Sequence, residues 1–248
     1  MIPWRSDTVP LSVSTLESHL NRQVERSREF FWNRVRWELV DSFLPPSTTI
    51  VVDVGAGPGF LGDFLAEARP DVGYAFIEPL EGLEQQLTER FGAEANWRDR
   101  DFAGASHVVL LDVLEHQGDD RAFLAELAEK MDPGATLIVT VPALPTLWSS
   151  WDVVLGHYRR YTKSMLDAAA DPLPFEVLER SYLFPELVPM GWWRRRKDRA
   201  EGDRDRAEFP DLPRPLNETL YRLGSTTASL RRFSPAGTSL FARLRRSG

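Results

Sequence analysis

The sequence predicts an α/β protein built on a doubly wound sheet, and three observations carry that prediction. Ile50-Val51-Val52 is a short β-branched run that passes through Asp53 and Val54 into three spaced glycines, Gly55, Gly57 and Gly59, and then into a helical stretch, Phe60–Ala68. A β-branched run bounded by glycines reads as a buried parallel strand. Strand-like and helix-like stretches then alternate as far as Val141, as a parallel sheet requires. A second apolar run, Gly73-Tyr-Ala-Phe-Ile, ends in an acid, Glu78.

Glycines at the end of the first strand let the backbone turn sharply and approach a ligand where a Cβ would collide. The following helix aims its free N–H groups into the same space. The stretch starting at Gly57 satisfies the dinucleotide pattern G-x-G-x-x-G, but the first glycine after the strand is Gly55. Counted from Gly55 the sixth position is Phe60, too bulky for the close helix–strand contact of that motif. Asp53 stands where a pyrophosphate would be repelled and an ammonium group welcomed. Glu78 lies about 20 residues past the glycines, where a carboxylate accepts from both hydroxyls of a ribose.

Asp-x-Gly-x-Gly-x-Gly at 53–59 resembles the first motif of the S-adenosylmethionine (SAM) dependent methyltransferases of the seven-strand Rossmann-like class. Asp112-Val-Leu114-Glu-His116 matches that family's fourth motif residue for residue, at the carboxyl end of a strand predicted over 107–112. Met131-Asp-Pro-Gly134 resembles its Leu-x-Pro-Gly-Gly turn, with Ala135 in place of the second glycine. Val141-Pro-Ala, Leu147-Trp148-Ser and Gly156-His157-Tyr-Arg159-Arg160-Tyr161 resemble the marks of a bacterial subgroup, as does 234–239, with Ala236 in place of the usual aromatic.

The resemblance implies seven strands, the last antiparallel. It implies SAM as cofactor, S-adenosylhomocysteine (SAH) as product, and a small-molecule substrate methylated on oxygen or nitrogen. It places the cofactor on Asp53, Gly55, Gly57, Gly59, Glu78, Asp112 and Leu114, with Asp99 or Asp101 at the adenine. His157 and His116 compete for the role of base, His116 having a loop-orienting reading beside it. Trp148, Arg159, Arg160 and Tyr161 are candidates for the substrate wall, against a second reading in which an Asp152–Arg160 brace shapes the loop. Three rivals stand beside this reading: an NAD(P)-dependent oxidoreductase, a non-catalytic SAM-binding protein, and a methyltransferase of ribosomal or transfer RNA, which the net negative charge disfavours.

The rest of the chain supplies weaker expectations. A long helix over 15–44, rich in aromatics and arginine, forms an N-terminal segment (1–46) that either covers the sheet or closes over the cofactor. The core spans 47–182, with a weak third strand over 94–98, a helix over 163–170 and a sixth strand over 175–182. An insertion over 183–233 holds a mobile charged loop, 194–208, and a helix over 215–230, and is expected to cap the substrate entrance. The final strand and a basic end fill 234–248.

Composition bounds the partners. A net charge of -7 argues against a general nucleic-acid binder. Trp192-Trp193 beside Arg194 to Lys197 is a candidate membrane-surface contact, though an ordinary helix end is favoured. The absence of cysteine removes thiolate metal sites, and no metal-ligand spacing stands out. The start, Met-Ile-Pro-Trp-Arg-Ser-Asp, has no apolar segment, so no secretory signal and a cytoplasmic setting are expected. The sequence leaves the oligomeric state open.

Overall fold

A computed structural model describes residues 29–201 and 212–248. Its elements in order are α1 (Phe31–Asp41), β1 (Ile50–Val54), α2 (Phe60–Ala68), β2 (Gly73–Ile77), α3 (Glu81–Phe91), β3 (His107–Leu111), α4 (Asp120–Lys130), β4 (Thr136–Pro142), α5 (Ser150–Val154), α6 (Lys163–Ala170), β5 (Phe175–Leu183), α7 (Val188–Glu201), α8 (Arg214–Ser229) and β6 (Ser239–Arg246). The sheet order is β2-β1-β3-β4-β6-β5. Strands β1 to β4 pair in parallel, and β6 runs antiparallel to both of its neighbours, β4 and β5.

Alternate side chains of each strand enter opposite cores, as a period of two dictates. Val52, Val54, Val108 and Leu110 join Leu124 of α4 and Leu166 of α6 on one face. Val51, Val109 and Ile138 join Val35 of α1, Leu65 of α2 and Phe184 on the other. The sheet is therefore covered on both sides, which is why its strands read as near-continuous apolar runs.

Among the described residues the sheet has six strands, not seven. The expected strand at 94–98 is a 3-10 turn, Ala93–Ala95, followed by a single bridge between Phe76 and Asn96. The Asn96 side chain accepts from the Arg98 N–H at 3.1 Å, withdrawing a donor that a ladder would need. The long helix expected over 15–44 is interrupted: backbone at Phe30 is extended, with ψ 127°, and α1 begins at Phe31. Residues 15–28 of that expectation lie outside the described residues.

Two helices occupy the interval between β5 and β6. Helix α7 runs to Glu201, so the loop expected to be mobile from Arg194 is helical over its first part, where Arg194 stacks at 3.9 Å on the Trp151 ring. Residues 202–208 lie outside the described residues. Gly191 of α7 lies against Leu147, so close that an added Cβ would stand 3.3 Å from its Cδ1. Helix α8 packs along α1: the Asn217 carboxamide accepts from the Phe31 N–H at 3.0 Å, and Arg34 reaches both Glu218 at 3.0 Å and the Tyr221 ring at 3.7 Å. No helix among the described residues is long and apolar enough to cross a membrane.

Candidate active site

The carboxyl ends of β1, β2 and β3 meet at the glycine turn, where the Gly55 N–H donates to the Ile77 carbonyl at 2.7 Å, the position where doubly wound sheets hold ligands. All three glycines of the turn have positive φ. They are glycine for different reasons. An added Cβ at Gly55 would stand 2.7 Å from Val113, and one at Gly59 would stand 2.3 Å from Leu87, so both positions are closed by the protein itself. At Gly57 a Cβ would meet nothing within 4 Å among the described residues. The open face of the turn is therefore at Gly57. The close helix–strand contact sought at Phe60 occurs two residues later: a Cβ on Gly62 would stand 2.5 Å from the Tyr74 ring.

Glu78 is tied to this open face. One of its carboxylate oxygens accepts the Gly57 N–H at 2.7 Å and the other accepts the Leu80 N–H at 2.9 Å. Burial pushes its carboxyl up to about 7, the two amides and Arg98 pull it down, and nearby Asp53 pushes it further up. Asp53 lies beneath the turn, and its carboxyl is likewise raised to about 7 by burial, against the Tyr74 hydroxyl that donates to it at 3.0 Å. Both acids keep acceptor capacity for a ligand that brings donors or positive charge.

Asp112 follows β3 directly with a φ of 58°, a left-handed conformation that strains a residue with a Cβ. Its carboxylate is held by Arg36 of α1, which sequence reasoning did not single out, and by the Thr140 hydroxyl at 3.3 Å. The aromatics of α1, Phe31 and Trp37, pack in the core on this face of the sheet, while Arg36 reaches past them to Asp112. Leu114 is wholly buried and offers only backbone. Asp99 lies in an exposed turn just after the Phe76–Asn96 bridge, whereas Asp101 is 3.8 Å from Lys130.

The segment after β4 folds back onto the Leu114–His116 turn. The Glu115 carbonyl accepts the Tyr158 N–H at 2.8 Å, and the Tyr161 hydroxyl reaches the Leu114 carbonyl at 3.3 Å and Asp120 at 2.8 Å. Arg159 joins the same anchor, 2.7 Å from Asp120 and 2.6 Å from the Gly118 carbonyl. Arg160 makes the brace: its Nε is 2.8 Å from Asp152. Tyr161 is fully buried, while Trp148 is half-buried on the loop.

This folding brings His116 and His157 edge to face, 4.9 Å between ring centres. Burial, with His157 alongside, lowers the His116 pKa to about 4, so its imidazole is neutral at neutral pH. His157 Nδ1 lies 2.9 Å from Asp152. Burial works against the Asp152 charge, but His157 and Arg160 outweigh it and keep the carboxyl below its ordinary range. An ionised Asp152 only accepts, so His157 donates to it from Nδ1, which turns Nε2 the other way. That Nε2 faces Glu115 at 4.0 Å.

No protein-family model matches the chain. It is similar, at 33% identity over 117 residues, to uncharacterised methyltransferases of Mycobacterium bovis and Mycobacterium tuberculosis. The match covers 44% of this chain and 58% of each relative, less than two thirds of their length. Among solved structures it resembles the complex between the Haloferax volcanii Trm112 methyltransferase activator and a methyltransferase, with a TM-score of 0.59 and 14% identity over 95% of this chain and 96% of that one. It also resembles Haemonchus contortus phosphoethanolamine N-methyltransferase 2 in complex with SAM (TM-score 0.55, 12% identity, 88% of this chain and 53% of that one). A third likeness is the [4+2]-cyclase SpnF (TM-score 0.51, 14% identity, 85% and 79%). The chain therefore has the Rossmann-like α/β fold of the SAM-dependent methyltransferases.

Proposed function

We propose that this protein is a SAM-dependent methyltransferase that modifies an oxygen or nitrogen of a small molecule, within the bacterial subgroup its sequence resembles. The observation that carries the reading is the turn at Gly57, open to a ligand and bonded on its inner side to Glu78. Glu78 then takes the ribose hydroxyls, Asp53 answers the cationic end of the cofactor, and Asp99 lies toward the adenine. Asp112 and the backbone of Leu114 line the cleft beside the turn, since Val113 abuts Gly55. When bound, SAM supplies an electrophilic methyl, which passes to a substrate lone pair as the S–C electron pair returns to sulfur and the nucleophile releases its proton.

Activation of that nucleophile falls to His157 through its Nε2, and to His116 and Glu115 beside it. Trp148 offers a flat surface for the substrate, while Arg159, Arg160 and Tyr161 act by holding the loop in shape. Helices α7 and α8 pack against the loop and α1, and serve as the cap of the substrate entrance. The net charge of -7 favours a small molecule over nucleic acid. The likeness to a cyclase is a reminder that one fold carries several chemistries, so the reading needs a turnover test.

Two measurements decide it. SAH at ~100 times its Kd should stabilise the fold by ~2.7 kcal/mol, while NADH leaves the melting temperature unchanged. Incubation with SAM and a panel of small phenols, amines and hydroxy acids should release SAH. Stabilisation by NADH alone would favour the oxidoreductase. SAH binding without turnover on any substrate would favour the non-catalytic protein.

A further inference from the structure

We infer that Glu115, His116 and His157 hold a divalent first-row transition metal ion beside the proposed methyl-transfer site. The sequence shows no metal spacing because the ligands come from two segments, 41 residues apart at His116 and His157, that meet only when the loop folds back. One ligand atom from each of the three side chains lies within 4.8 Å of the other two. Ligation at ~2.0–2.2 Å draws such atoms to ~3–3.5 Å apart, a side-chain adjustment rather than a backbone one.

Two further features point to an ion. Glu115 has no exposed surface, and among the described residues neither of its carboxylate oxygens has a hydrogen-bond partner outside Glu115 itself. A buried carboxylate without a donor is costly and is normally paired or bound to a cation. Burial and neighbouring Asp112 both push against its charge, with Arg36 working the other way. Second, both imidazoles are set up as ligands from behind. His157 gives its Nδ1 proton to Asp152, itself fixed by Arg160 and the Ser149 N–H, which leaves Nε2 free toward Glu115. His116 hydrogen-bonds the backbone of Gly156. A carboxylate or carbonyl behind a ligating histidine is the usual arrangement at metal centres.

Two imidazoles and a carboxylate suit zinc or manganese and leave open positions for a substrate oxygen. The inference rests on the methyltransferase reading for its role. The ion would take the substrate hydroxyl, whose O–H then ionises with loss of the proton to solvent and no change of oxidation state. His157 Nε2 is then a ligand, and acidity of the ion-held hydroxyl replaces proton removal by a free imidazole. The substrate class is thereby narrowed to oxygen nucleophiles such as phenols and enols.

The test uses the full chain, stripped with a chelator and titrated with Zn²⁺ and with Mn²⁺ by calorimetry, with metal content measured afterwards. One equivalent should bind, and Mg²⁺, which disfavours nitrogen ligands, should bind far more weakly. Glu115→Gln and His157→Ala should each lower the affinity by ~100-fold or more, and Asp152→Asn by ~10–100-fold through its hold on His157. SAH binding, measured on every variant, should be unchanged, which certifies the fold and separates the two readings. A wild-type chain that binds neither ion, or a Glu115→Gln variant that binds as tightly as wild type, overturns the site. Ion binding with no SAH binding would retain the site and remove the methyltransferase reading.

Discussion

At the glycine turn Glu78 bonds to two backbone amides, whereas the acids that hold the loop after β4, Asp120 and Asp152, bond mainly to its side chains. Glu78 takes two amides from residues near it, Gly57 and Leu80. On the other wall Asp152 takes His157 and Arg160, and Asp120 takes Arg159 and Tyr161. A carboxylate on backbone shapes the turn and still has lone pairs to offer a ligand. A carboxylate shared between an arginine and another side chain is largely used up in holding the loop. Motif residues of similar chemistry thus divide into groups that keep acceptor capacity to spare and groups spent on holding the loop.

The largest test of this contrast is Gly57→Val. Its side chain enters open space and its φ of 55° favours glycine, so SAH binding should be lost while circular dichroism reports a folded chain. Normal binding would mean that the ligand approaches elsewhere.

Next in size is His157→Ala, which should lower turnover by ~10²–10⁴ with SAH affinity retained. The same loss in His116→Ala with His157→Ala active would move the activating role to His116.

Glu78→Ala should weaken SAH by ~1.5–3 kcal/mol, the scale of hydrogen bonds to a charged acceptor. The acid also predicts a pH dependence. With its pKa near 7, Glu78 offers both oxygens as acceptors only once it has shed its proton, so affinity should rise about fivefold between pH 6 and pH 7 and level off near pH 8. In the ligand-free chain, Asp53 and Glu78 hold protons up to about 7 that the unfolded chain releases near 4, so stability should fall as pH rises across that window. A flat binding profile in calorimetry would mean that Glu78 is ionised throughout.

The smallest effect should come from Tyr161→Phe, which removes a buried donor from Asp120. A loss of ~1–2 kcal/mol in denaturant unfolding, with SAH affinity unchanged, is expected. A specific rise in substrate KM with stability intact would return Tyr161 to the substrate wall.

The sequence by itself determined the frame: β1, α2 and α6 stand where its local signals put them, the apolar run and the glycines above all. It also located the glycine turn and Glu78, since a turn's requirements lie within a few residues of it. The strand expected at 94–98 was beyond its reach, because Asn96 capturing the Arg98 N–H depends on side-chain geometry that no propensity records. The same holds for Arg36, which enters the cleft from a helix 76 residues before Asp112. Tertiary structure alone decided that Arg160 braces, that Tyr161 is buried, and that Glu115 stands with two histidines. Each of these depends on the loop after β4 closing on the turn after β3, and long-range contacts of that kind leave no periodic trace in the chain.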